Sequence, residues 1–197
     1  MTSDSRPRSV SHQAADNLAF IRSAMERSSA FTAVPGLGGV AVGVIGLITA
    51  VVAARQTPGD RWLATWLIAA PIALVVELGT MTLKARRSGI ALVGAGARRF
   101  ASGMAAALAA GAALTYELWT SRDFTAIAPV WLLLYGVGVL AGGMFSVRAV
   151  RALGVCFMAA GIAAVLTPPG WDNVWLAIGF GGLHVGFGAY IARYHGG

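Results

Sequence analysis

Charge is what this chain has least of. Asp, Glu, Lys and Arg together make up 12% of its 197 residues, where soluble domains carry about 25%. Hydrophobic residues are 57%, and the mean hydropathy is +0.70. That balance argues against a soluble monomer, and equally against disorder, which needs low hydrophobicity and high charge. One cysteine excludes a disulfide framework and a cysteine-based zinc site. Of three histidines only His184 stands in an apolar run, so a membrane haem held by two histidines is excluded. There is no His-Glu-x-x-His, no Gly-x-Ser-x-Gly and no phosphate loop. No enzyme, metal or cofactor is therefore expected.

What is there is long apolar runs. Six are close to the roughly 20 helical residues that cross a bilayer core: Val34–Ala54, Trp62–Leu83, Ala101–Trp119, Ile127–Phe145, Ala149–Thr167 and Asp172–Ile191. Their continuity in Ala, Leu, Gly and Val lacks the alternation of a membrane barrel, so the spans must be helices that satisfy their own backbone. Turn signals separate them: Pro58-Gly59-Asp60, Ser121-Arg122-Asp123, and Pro168-Pro169-Gly170 with Asp172 or Asn173 as an expected N-cap. The expected fold class is all-α, a bundle of six transmembrane helices (residues 34–197) behind a cytoplasmic segment (1–33). No apolar stretch follows the start, so no cleavable signal peptide is expected. Within the first segment, Ala14, Leu18, Ile21 and Met25 fall on one stripe, which predicts an amphipathic surface helix over 13–31.

Two patterns give the orientation. With the N-terminus in the cytoplasm, twelve Lys and Arg fall inside and three (Arg55, Arg61, Arg122) outside, a strong positive-inside bias. All six tryptophans then fall at outer span ends, where indole prefers the interface. The net charge of +7 thus reads as contact with anionic headgroups, with no nucleic acid needed. Lys84, Arg86, Arg87, Arg98 and Arg99 form a candidate basic cytoplasmic face. Between them Ser88–Ala97 is apolar but too short to span; an interfacial segment is expected there, with a shallow re-entrant turn as the alternative.

Glycine and alanine supply about a third of the chain. Small residues let membrane helices approach closely, and pairs one turn apart occur at Gly39/Gly43, Gly138/Gly142 and Gly182/Gly186, with a triplet at Gly103/Ala107/Gly111. Packing within the chain is the expected use; a homo-oligomer face is the alternative. Pro35 and Pro129 suit first helical turns, and Pro71 predicts a kink in the second span. Phe31-Thr-Ala-Val-Pro35 is echoed by Phe124-Thr-Ala-Ile-Ala-Pro129 three spans later, as an inverted repeat would be.

Ionisable groups inside spans are costly and are candidate sites by default. Here they are Glu77, His184 and, near an outer end, Glu117; Tyr135 is mid-span. Glu77 and His184 are expected to form a hydrogen-bonded pair lining a small polar cavity, with Tyr135 as its third member. Rhomboid proteases also place a serine in a fourth span and a histidine in a sixth, but Gly143-Met-Phe-Ser146 lacks their Gly-x-Ser-Gly. The stretches Phe31-Thr-Ala-Val-Pro-Gly36, Trp131-Leu-Leu-Leu-Tyr-Gly-Val-Gly138, Gly142-Gly-Met-Phe-Ser-Val-Arg148 and Phe180-Gly-Gly-Leu-His-Val-Gly-Phe-Gly188 resemble a set of uncharacterised bacterial six-helix membrane proteins whose genes neighbour a winged-helix regulator. The resemblance implies an inner-membrane location and no known activity. Two functions stay open: a regulatory or scaffold protein docking a partner on its cytoplasmic face, the 13–31 helix and the arginine-rich 84–99 loop, and a small carrier or channel for a proton-coupled or uncharged solute using Glu77, Tyr135 and His184.

Overall fold

The computed structural model describes residues 16–18, 20–21, 33–89, 94–144 and 146–195, and among these the protein is all-helical. Six long helices follow one another: α1 (Gly36–Ala53), α2 (Asp60–Ser88), α3 (Ala95–Thr120), α4 (Ile127–Gly143), α5 (Arg148–Leu166) and α6. The last runs without a break through Asp172–Leu176, a π-helical stretch Ala177–Leu183, and His184–His195. Each expected span coincides with one of them. Four, namely α1, α2, α5 and α6, are long and apolar enough to cross a bilayer. With 17 residues, α4 is about 26 Å long and falls just short of a ~30 Å core. In α3 the length suffices, but weakly hydropathic Ala and Gly dominate and Thr115, Tyr116 and Glu117 dilute it further.

The helix ends follow local chemistry, with some differences from expectation. At the start of α2 stands Asp60, its last turn carries Arg86 and Arg87, and it stops at Gly89, whose φ of 64° is left-handed. Acid first, base last and an αL glycine after is the order that the helix dipole and C-cap favour. Pro71 lies inside α2, which continues past it to Ser88. Pro35 is the N-cap of α1, not a first-turn residue. The expected N-cap of α6 is also corrected. Asp172 is its first helical residue, and Trp171 caps it. Asn173 is drawn away because its Nδ2 donates to the Ala50 carbonyl of α1 at 2.8 Å. The separate segment expected over Ser88–Ala97 dissolves at both ends into α2 and α3, and its middle, 90–93, lies outside the described residues. Of the amphipathic helix over 13–31, only 16–18, 20 and 21 are described; they are helical, with Leu18, Phe20 and Ile21 exposed.

The bundle is two layers of three. In one, α1 lies between α2 and α6; in the other, α4 lies between α3 and α5; the layers join where α6 meets α4 and α5. Small residues set the closest seams. On α1, Gly36, Gly39, Gly43 and Gly46 face Ala192, Gly188, Val185 and Phe180 of α6, so that a β-carbon on Gly36, Gly43 or Gly46 would run into that helix and one on Gly39 would press on it. In the same way Gly136 and Gly154 bring the backbones of α4 and α5 together. Where a polar group is enclosed it is tied down: Thr115 donates to Gly111 O and accepts from Trp131 Nε1 across α3 and α4, both at close distance.

The core is centred on Trp62, Leu132 and Phe157, all fully buried. Trp62 is thus a core side chain and not part of an interfacial belt, whereas Trp119 and Trp171 are exposed. The outside is oily. Ile68 is 63% exposed, Val75 70% and Leu166 79%, an apolar surface that a soluble monomer rarely presents.

Candidate functional site

Midway along three helices, one ring from each meets the others. Tyr135 stands near the middle of α4, Phe157 near the middle of α5 and His184 near the middle of α6. The Tyr135 hydroxyl and His184 Nε2 are 2.9 Å apart, a good hydrogen bond. Phe157 and Phe180 enclose the pair: their ring centres lie 4.8 and 5.0 Å from that of Tyr135. Phe180 also stacks on the His184 ring at 17°, and Phe157 meets it edge-on. Such offset and edge arrangements are the favourable ones for aromatic rings.

The π-helical stretch makes this arrangement possible. Ala177-Ile-Gly-Phe-Gly-Gly-Leu183 holds three glycines, which weaken the preference for α geometry. Its Gly179 leaves room for Leu132 and Phe157, where a β-carbon would collide. One π turn ends at His184, so Phe180 and His184 present stacked rings to the same neighbour. Single π turns inside α-helices recur at functional sites.

His184 is buried, and its second nitrogen, Nδ1, has no hydrogen-bond partner. The carbonyls of Gly179 and Phe180 come near without a well-formed bond. A neutral imidazole has one N–H and one lone pair: with Nδ1 protonated, its N–H faces those carbonyls at poor geometry, and with Nε2 protonated the Nδ1 lone pair is unmet. The Tyr135 hydroxyl donates to Nε2 in one tautomer and accepts from it in the other.

Glu77 approaches from α2. Its Oε2 lies against Gly38 of α1, where a β-carbon would stand 3.0 Å away. That oxygen is buried without a partner. The expected Glu77–His184 pair is thus corrected: His184 bonds Tyr135 instead, and Glu77 hydrogen-bonds neither. Trp66 stands three turns before Glu77 on the same face of α2; its ring is 6.5 Å from that of Phe180, and its Nε1 is buried and unpaired. Two unmet polar atoms thus belong to the aromatic cluster or its edge, and a third, on Glu77, lies where α2 meets α1. Buried polar groups are nearly always paired, and exceptions call for a water, a ligand or a function.

The basic face is only partly as expected. Arg86, Arg87, Arg98 and Arg99 are exposed and flank the contact between Ala85 and Ala97. Lys84 is not among them. It is buried, and its Nζ donates to the Val34 carbonyl at 2.9 Å, tying the end of α2 to the start of α1. Its long stem packs while its charged head finds an acceptor.

Phe157 and Phe180 were not singled out by sequence, and Trp66, expected in the outer interface with the other tryptophans, instead lies against Phe180 with its Nε1 buried. Phe180 and His184 are four residues apart, and that spacing was the available signal; Phe157 gave none. Among the described residues no group of His, Cys, Asp and Glu could hold a metal ion. Comparison with known protein families, with curated proteins and with solved structures finds no match.

Proposed function

We propose that this chain is a bacterial inner-membrane protein whose six helices all cross the bilayer, with both ends in the cytoplasm. We further propose that it is a non-enzymatic carrier or channel, moving a proton-coupled or uncharged polar solute past Glu77, Tyr135 and His184. The single observation behind the function is the set of unmet buried polar atoms inside the bundle, Glu77 Oε2, His184 Nδ1 and Trp66 Nε1. Leaving such atoms unpaired costs about 1–3 kcal/mol each, a cost that a bound solute or proton relieves. The partial exposure of Tyr135 and Glu77 leaves the cluster approachable.

The orientation is supported by where the arginines stand. Arg98 and Arg99 lie near the start of α3, and Arg148 and Arg151 near the start of α5. Cations there oppose the helix dipole by about 0.3–1 kcal/mol each. Anionic headgroups return about 1 kcal/mol per arginine, so the placement suits an inner leaflet. The echo between the starts of α1 and α4 fits the two layers, since each of these helices is the middle of its own. That is the arrangement of many carriers built from inverted repeats.

Reconstitution into liposomes tests both parts. In a Cys156→Ala background, cysteines replacing Arg55 and Arg122 should react with an impermeant maleimide from one side, and those replacing Arg87 and Arg98 from the other. Under an imposed potassium diffusion potential, a trapped pH dye should report proton entry in wild-type vesicles and its loss in Glu77→Gln. Equal entry in the two removes the carrier reading. A regulatory role is the second reading, favoured by the exposed arginines around Ala85 and Ala97. In that case Glu77→Gln is silent, and reversing the charge of Arg86 and Arg98 abolishes capture of a cytoplasmic partner.

A further inference from the structure

One pair of small residues has no helix against it. Gly39/Gly43 and Gly138/Gly142 are closed by neighbouring helices, but Gly182 and Gly186 on α6 are exposed. A β-carbon at Gly186 would meet nothing within 4 Å, and one at Gly182 only the Ala177 carbonyl of its own helix. They form the floor of an open groove of about 810 Å³ between α6 and the start of α5, with Ala149 and Ala152 as its wall and Arg148 and Tyr190 at one end. Arg148 is exposed and makes no ion pair among the described residues. The first turn of α5 holds no acidic residue, so the helix dipole adds to the positive potential there.

The groove's length and polarity select its occupant. From Gly182 to Tyr190 is eight residues, about 12 Å along a helix. One leaflet of hydrocarbon is about 15 Å deep. An apolar floor of that length with a cationic end matches an acyl chain below an anionic headgroup. A second copy of this chain is a poorer fit. Two copies sharing one bilayer would bring their Arg148 guanidinium groups to the same depth across the seam, where like charges repel strongly. We propose that this groove binds an anionic phospholipid of the inner leaflet, with the phosphate beside Arg148 and an acyl chain along Gly182 and Gly186. The site rests on the membrane reading above and is separate from the Tyr135–His184 cluster. Basic pockets between membrane helices on the cytoplasmic side hold such headgroups.

The test uses the full chain purified in detergent, with lipid retention read by native mass spectrometry. Phosphatidylglycerol, phosphatidylcholine and inorganic phosphate are added separately. Phosphatidylglycerol should be retained in preference to phosphatidylcholine. Arg148→Gln should cut that preference about fivefold, the equivalent of ~1 kcal/mol per arginine. Gly186→Leu puts a side chain into open space, so it should fold normally and lose both lipids. Equal retention of the two lipids by wild type overturns the proposal. So does retention unchanged in both variants, or inorganic phosphate competing as well as phosphatidylglycerol. A dimer that Gly186→Leu dissociates overturns it in favour of a second copy. A monomer that stays dispersed without detergent removes the membrane reading, and this site with it; the other failures leave that reading intact.

Discussion

The bond between Tyr135 and His184 can be weighed by a double-mutant cycle. Tyr135→Phe keeps the ring between Phe157 and Phe180 and removes only the hydroxyl. His184 is then buried with both nitrogens unmet, since Nδ1 already has no partner. Stranding a buried polar atom costs about 1–3 kcal/mol, and hydrogen bonds between membrane helices are worth about 0.6–2. Tyr135→Phe alone should therefore cost about 1–2 kcal/mol. His184→Phe keeps a ring against Phe180 and Phe157 and removes the nitrogens. In that background the tyrosine hydroxyl has lost its partner, so adding Tyr135→Phe should cost close to nothing. The predicted coupling is about 1–2 kcal/mol, well above the ~0.3–0.5 expected of independent sites. Unfolding in mixed micelles of rising dodecyl sulfate content, followed by helical circular dichroism, measures all four corners. A loss from Tyr135→Phe that is the same in both backgrounds would refute the reasoning, because the hydroxyl would then owe nothing to the histidine.

Two further outcomes follow from the same geometry. A β-carbon at Gly154 would stand 2.6 Å from Leu140 N and 2.9 Å from Gly136 O, both rigid backbone, whereas one at Gly79 meets nothing. Overpacking costs about 1–3 kcal/mol and replacing helical glycine by alanine returns up to ~1, so Gly154→Ala should lower the melting temperature while Gly79→Ala raises it or leaves it unchanged; equal shifts would contradict the backbone seam. Asp60, at the loop end ahead of α2's apolar run, accepts from Arg122 Nη1 and Trp119 Nε1, both at 2.8 Å, and these bonds hold its carboxyl below the ordinary value of 3.8. A lowered carboxyl contributes above its unfolded value and loses that contribution as the pH falls through its folded one. The clamp should therefore open only in acid below that ordinary value. The change in emission, taken as wild type minus Trp119→Phe, should vanish in Asp60→Asn, and persistence there would assign it elsewhere.

The helices were legible because apolar runs with Pro-Gly-Asp and Pro-Pro-Gly between them leave few other folds. Glycines one turn apart marked the close seams, yet nothing in the spacing told Gly39 and Gly43, which are covered by α6, from Gly182 and Gly186, which are not. Polarity alone marked Tyr135 and His184 as mid-span groups that a neighbour has to satisfy, but it paired the histidine with Glu77 and not with the tyrosine that bonds it. Glu77 failed the same argument because Gly38 makes a recess for its carboxyl before it reaches the tyrosine. Lys84 was read as surface because lysine usually is, while the open carbonyl of Val34, fifty residues away in sequence, decided otherwise. The π turn had no signal beyond its three glycines, since α and π geometry tolerate the same residues.

That turn has a consequence for the phase of α6. A π turn closes over one residue more than an α turn, so the stretch Ala177–Leu183 stores a surplus residue. Deleting one there lets the helix close to α geometry with both flanks still in phase with α1 and α5. The same deletion in α1 or α4 would rotate everything beyond it by about 100° and throw its glycines out of their seams. Chain length is therefore adjustable at this one level of the bundle, where it alters the angle between Phe180 and His184 and leaves both docked ends where they are.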